Sequence, residues 1–158
     1  MSESFVIDNS VVMSWCFKDE ISQYADAVLN RLQESTAFVP SIWPLEVVNV
    51  LLVAERKKRL RQTDSVRFIT LLSQLPIVVE YERTGRIMND LLTLARANRL
   101  SSYDASYLDL SMRKGLPVAT TDTRLKEAAK RSQKPMLDLT NQFLFVYRRR
   151  MWMKKKTL

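Results

Sequence analysis

Residues 100–122 read LSSYDASYLDLSMRKGLPVATTD, and this stretch decides the fold. Ser101 stands three residues before Asp104, the spacing of a helix start. Gly115, one of only two glycines, falls where that helix would stop. Residues 116–120 (LPVAT) form a short apolar run of strand type and are followed by Asp122. Helix, glycine stop and strand make the αβ half of a βαβ unit. In a parallel sheet, the carboxyl ends of the strands and the N-termini of the following helices share one edge. Asp104 opens a helix and Asp122 ends a strand, so both acids are expected on that edge.

Working outward, residues 4–8 (SFVID) are a β-rich run ending in Asp8, with Asn9 and Ser10 able to cap or turn. Residues 11–17 start a helix, and Ile21, Ala25, Val28, Leu29 and Leu32 carry helical spacing. Residues 36–39 form a second strand closed by Pro40. Then comes SIWPLEVVNVLLVAERKKRL, in which Pro44 fixes a helix start near residues 41–44. This helix is apolar on nearly every side, which predicts one buried within the domain. Glu46 and Asn49, three apart, share a face of it. The basic residues in 56–61 suit the helix C-terminus and solvent as well as they suit RNA. Residues 63–75 read as an amphipathic helix with Thr63 as its N-cap, 76–81 as a third strand, 83–99 as a helix, 123–131 as a short helix, and 135–139 as a last strand. Alternation of this kind predicts a single α/β domain on a parallel sheet.

Composition narrows the chemistry. The chain has 158 residues, enough for one domain with a proper core, and no histidine. Without histidine there is no Ser-His-Asp or Cys-His catalysis and no His-based zinc site, and the lone Cys16 can build neither a disulfide nor a thiolate site. Glycine is too scarce for a phosphate-cradling loop. Carboxylates remain, and carboxylates without His or Cys favour Mg²⁺ or Mn²⁺. Residues 1–8 carry no secretory pattern, and the most apolar stretch is too short to span a bilayer, so a soluble, cytoplasmic protein is expected.

The net charge of +8 is unevenly spread. Arg148, Arg149, Arg150, Lys154, Lys155 and Lys156 hold six basic charges with no acid among them. Residues 1–147 carry 19 basic and 17 acidic side chains. The expected division is therefore a domain over 1–147 and a basic tail over 148–158, a tail suited to a polyanion or simply to solvent.

Each acid has a modest structural explanation. Asp104 fits a capping box, Asp122 an N-cap, Asp8 a loop or cap, and Glu46 a helix dipole. Together they read differently. Four carboxylates on one sheet edge would raise one another's pKa values unless a cation neutralised them. Asp8, Glu46, Asp104 and Asp122 are thus candidate metal ligands and catalytic groups.

In order and spacing, FVIDNSVVMSW, FVPSIWPLEVVNVL and SSYDASYLDLSMRKGLPVATTDTRLKEAA closely resemble the three motif blocks of PIN-domain nucleases, above all VapC-type toxins of toxin–antitoxin pairs. The resemblance covers about residues 5–139. It implies a five-stranded parallel sheet with helices on both faces and a Mg²⁺- or Mn²⁺-dependent endoribonuclease acting through a metal-bound carboxylate cluster. Asp8, Glu46, Asp104 and Asp122 match the family's four acids. Ser10, Asn49 and Thr120 match its supporting polar positions, Asn49 as a hydrogen-bond partner for Glu46. Thr121 departs from the usual apolar residue. The resemblance also implies an antitoxin that wraps the toxin and places a basic side chain among the acids, and a homodimer. Tyr103 and Tyr107 share a helix face beside Asp104; stacking on a base and packing in the core are both open to them, and packing is the simpler account. The rival reading is a non-catalytic PIN-like scaffold for RNA or protein, against which all four acids stand. A phosphatase using Asp8 as nucleophile would need an Asp where Ser10 is.

Overall fold

The computed structural model describes residues 4–82, 84–132, 136, 137 and 139. The order of elements is β1 (Phe5–Ile7), α1 (Asn9–Ser14), α2 (Gln23–Arg31), β2 (Ala37–Pro40), α3 (Trp43–Arg56), α4 (Gln62–Leu72), β3 (Ile77–Glu80), α5 (Thr84–Asn98), α6 (Ser102–Lys114), β4 (Val118–Ala119) and α7 (Thr123–Arg131). All pairings are parallel, in the order β3-β2-β1-β4. The chain steps outward from β1 to β3, then crosses back to place β4 on the other side of β1. That reversal creates a crevice between the carboxyl ends of β1 and β4, the place where open α/β sheets bind ligands. Right-handed crossovers, the general rule for parallel strands, would put α1–α4 on one face and α5–α6 on the other. The packing follows this division: α1 meets α2 and α3, whereas α6 meets α5, α7 and strands β1, β2 and β4.

The core explains why the short strands hold. Phe5, Val6 and Ile7 are fully buried at the sheet's centre, as are Val118 and Ala119 beside them. A strand covered on both faces has no polar alternate positions, hence the uninterrupted apolar run in FVI. Val11, Val12, Val28, Leu29, Leu108 and Leu110 close over it. The Trp15 indole N–H donates to the Ala25 carbonyl at 2.8 Å and ties α1 to α2.

Three expectations need correction. The described residues form four strands, not five. Met136 makes a single parallel bridge to Val118, and the Leu137 N–H donates to the Val118 carbonyl. Of the expected last strand, the described residues therefore show one bridge, against a β4 only two residues long. Helix α3 is not buried all round: Val47, Leu51 and Ala54 face the core, while Leu45, Val48 and Leu52 are exposed, because α3 is an outer layer and not a central rod. The N-cap of α4 is Arg61, and Thr63 lies inside the helix.

Phe68 and Leu72 of α4 belong to the core, leaving Val66 and Ile69 as its exposed apolar residues. Among the described residues, no helix is long and apolar enough to cross a membrane. The basic stretch at 148–156 lies outside the described residues.

Candidate active site

Asp8 follows β1 directly, so the strand that anchors the core also fixes this carboxylate. Its backbone N–H donates to the Ala119 carbonyl at 2.9 Å, binding the end of β1 to the end of β4. The side chain is 4% exposed and, although Asp8 is the N-cap of α1, it makes no capping bond. Two hydroxyls hold it instead. Ser10 Oγ donates to Asp8 Oδ2 at 2.6 Å, and Thr120 Oγ1 donates to the same oxygen at 2.8 Å. Both hydroxyls are themselves oriented, since Ser10 Oγ accepts from the Thr121 N–H and Thr120 Oγ1 from the Asp122 N–H. Each hydroxyl has one proton, already given to Asp8, so their own 3.4 Å approach is packing. This network ties the ends of β1 and β4 together and orients the Asp8 carboxylate. Burial drives the Asp8 pKa up, the two hydroxyl bonds pull it down, and nearby Asp104 raises it further; the net direction is up.

Glu46 enters from the first turn of α3, set by Pro44 at the helix start. Tyr107 Oη donates to Glu46 Oε2 at 3.1 Å, whereas Glu46 Oε1 is buried with no hydrogen-bond partner. Burial raises the Glu46 pKa to about 7, the Tyr107 bond opposes that rise, and the charges of Asp8 and Asp104 add to it. Asn49 is exposed and, among the described residues, makes no bond to Glu46. The partner expected at Asn49 is in fact Tyr107. The signal available was a tyrosine where burial alone would accept phenylalanine: a buried hydroxyl needs an acceptor.

Asp104 and Asp122 carry helix ends as well. Ser101 Oγ accepts from the Asp104 N–H at 3.0 Å and donates to Asp104 Oδ2 at 2.8 Å, a reciprocal cap at the start of α6. Asp122 caps α7, its Oδ1 accepting from the Leu125 N–H at 2.8 Å. Asp8, Glu46 and Asp104 are thus brought within electrostatic reach of one another, while the Asp122 carboxylate turns toward its own helix and reaches Asp8 only through its backbone and Thr120.

Do these residues fit a divalent cation? Among the described residues, no three acidic side chains are spaced as a finished metal cage. The donor chemistry nevertheless fits. Three carboxylates lie within electrostatic reach of one another, two of them with raised pKa values, and one buried carboxylate oxygen of Glu46 is unpaired. A cation would satisfy that oxygen and remove the repulsion.

The PIN domain family model matches residues 5–131, most of the chain. The protein belongs to the PIN domain family. PIN domains are generally nucleases, and they generally use divalent metals. No curated protein sequence matches this chain. Among solved structures, this PIN domain is similar to PAE2754 from Pyrobaculum aerophilum, with a TM-score of 0.61 and 20% identity over 81% of this chain and 87% of that one. It is also similar to FitAcB from Neisseria gonorrhoeae, with a TM-score of 0.57 and 17% identity over 87% and 99% of the two chains. At such identities the likeness speaks to fold.

Proposed function

We propose that this PIN domain is a Mg²⁺- or Mn²⁺-dependent endoribonuclease, the VapC-type toxin of a toxin–antitoxin pair. The observation that carries the reading is the buried, unpaired Glu46 oxygen on a carboxyl that feels the charges of both Asp8 and Asp104. Asp8, Glu46 and Asp104 would hold the metal, with Asp122 beside them. A divalent cation in that place supplies the Lewis acidity that water attack on a phosphodiester needs where no histidine base exists. Ser10 and Thr120 keep Asp8 oriented, and Tyr107 keeps Glu46 oriented.

An active ribonuclease needs restraint in its own cell, which is the role of a cognate antitoxin. Leu45, Val48 and Leu52 of α3 and Val66 and Ile69 of α4 are exposed apolar residues of the kind a protein partner or a second copy covers.

The test is RNA cleavage by the antitoxin-free protein in Mg²⁺, Mn²⁺ or EDTA, with Asp104→Asn alongside. Cleavage that requires both metal and Asp104 is the expected result. RNA binding without cleavage in any metal would favour the scaffold reading.

A further inference from the structure

Helix α6 carries two tyrosines one turn apart in opposite circumstances. Tyr107 is fully buried and hydrogen-bonded to Glu46. Tyr103, next to the acid Asp104, is 57% exposed, so core packing accounts for one and not the other. Tyr103 stands on a cleft of about 200 Å³ between α6, α5 and the end of β2. Ile87 and Leu91 of α5 supply apolar wall, and Ser41 and Ser102 supply polar rim. Ser106 Oγ donates to the Tyr103 carbonyl at 2.6 Å and fixes the turn that carries the ring.

The floor is an ion-pair group. The Arg113 guanidinium bridges Asp109, with Nε to Oδ2 at 2.7 Å, and Glu82. These three side chains are 15–22% exposed, so the group is held by its surroundings as well as by its charges. Among the described residues, two carboxylates against one guanidinium leave the floor net negative. Such a floor repels phosphate and favours a neutral group rich in N–H donors.

We propose that this cleft receives one unpaired nucleobase of the RNA, stacked on Tyr103 with its N–H edge toward the acidic floor. This rests on the ribonuclease reading, because the base is then one that flanks the cut. Guanine suits the floor best, since its N1–H and N2–H groups lie side by side. Recognition of a single-stranded base by an exposed aromatic ring and a polar edge is the usual physics of RNA sequence choice.

The test titrates the full-length, antitoxin-free protein, in EDTA, into short single-stranded RNAs carrying one fluorescent pteridine analogue of guanine that keeps the N1–H and N2–H edge. Wild-type protein should quench the fluorescence, and Tyr103→Phe should retain both quenching and affinity. Tyr103→Ala should lose the quenching and weaken binding roughly 5- to 150-fold. Competitor RNAs differing at one base should rank guanine first. Unchanged binding and quenching by Tyr103→Ala, or no RNA binding by the wild type, would overturn the base site, and equal competition by all four bases would overturn its preference. Cleavage in Mn²⁺ is scored separately. Wild-type cleavage with an unaffected Tyr103→Ala sinks only the base site, whereas quenching without cleavage sinks the ribonuclease and leaves a base-binding cleft.

Discussion

The Tyr107 hydroxyl donates to Glu46 Oε2 at 3.1 Å, joining the helix that carries Asp104 to the helix that carries Glu46. With Glu46 Oε1 already unpaired, this is the protein hydrogen bond that steadies the carboxylate. Tyr107→Phe keeps the ring in the core and removes only the bond. The expected cost is about 1–3 kcal/mol in the metal-free protein, read by urea unfolding. The kcat for RNA cleavage should fall with it, while RNA affinity in EDTA stays unchanged. Equal kcat in the variant would remove Tyr107 from the positioning of Glu46.

Protons and metal should compete for the same oxygens. Both Asp8 and Glu46 have raised pKa values in the fold, Glu46 at about 7. The folded state therefore binds protons more tightly than the unfolded state does. The stability linked to Glu46 is full below its unfolded pKa of about 4.5 and is lost as pH rises through about 7, damped by the water that reaches this partly exposed side chain. Metal-free protein should thus melt higher at pH 5 than at pH 7.5. Mn²⁺ should raise the melting temperature more at pH 7.5 than at pH 5, because at pH 5 it must displace those protons. A metal effect that did not depend on pH would place the cation elsewhere.

Asp8→Asn leaves an oxygen able to accept from Ser10 and Thr120 while removing a buried charge. Its fold, read by circular dichroism, should be retained, and its metal-free stability at pH 7.5 should equal or exceed the wild type's. Cleavage should fall below detection. Residual activity near wild type would rule Asp8 out of the site.

Much of this arrangement can be read in the sequence because it is local. Ser101–Asp104 and Asp122–Leu125 are caps closed within four residues, and Gly115 marks the end of α6. The alternation of strands and helices, and Asp8 at the end of the first strand, follow from local apolar pattern as well. What the sequence hid is long-range. The bond from Tyr107 to Glu46 spans 61 positions, and the bond from Thr120 to Asp8 spans 112. The exposed face of α3 was hidden for another reason: an apolar helix looks the same whether its outer side meets this chain or a partner.

Gly115 sits at φ 65° as the C-cap of α6, and a Cβ placed there would meet nothing within 4 Å. Gly115→Ala therefore isolates the left-handed backbone cost, about 1 kcal/mol, without a clash. For a chain of this size that is a drop of about 2–4 °C in Tm. A much larger drop would mean that the turn into β4, where Ser111 Oγ donates to the Leu116 carbonyl at 2.6 Å, is also disturbed.

The tail at 148–158 carries six basic residues and no acid, whereas the preceding 147 residues are nearly balanced. If the tail grips RNA, each phosphate it neutralises releases counterions, and removing it should flatten the plot of log affinity against log salt by about 0.7 for every phosphate no longer held. Deletion of 148–158, with binding measured in EDTA across a salt series, is expected to lower affinity most at low salt and least at high salt. Cleavage at saturating RNA should persist, because the acids lie in the body of the domain. An unchanged salt slope would make the tail a solvated appendage and leave RNA capture to the body of the domain.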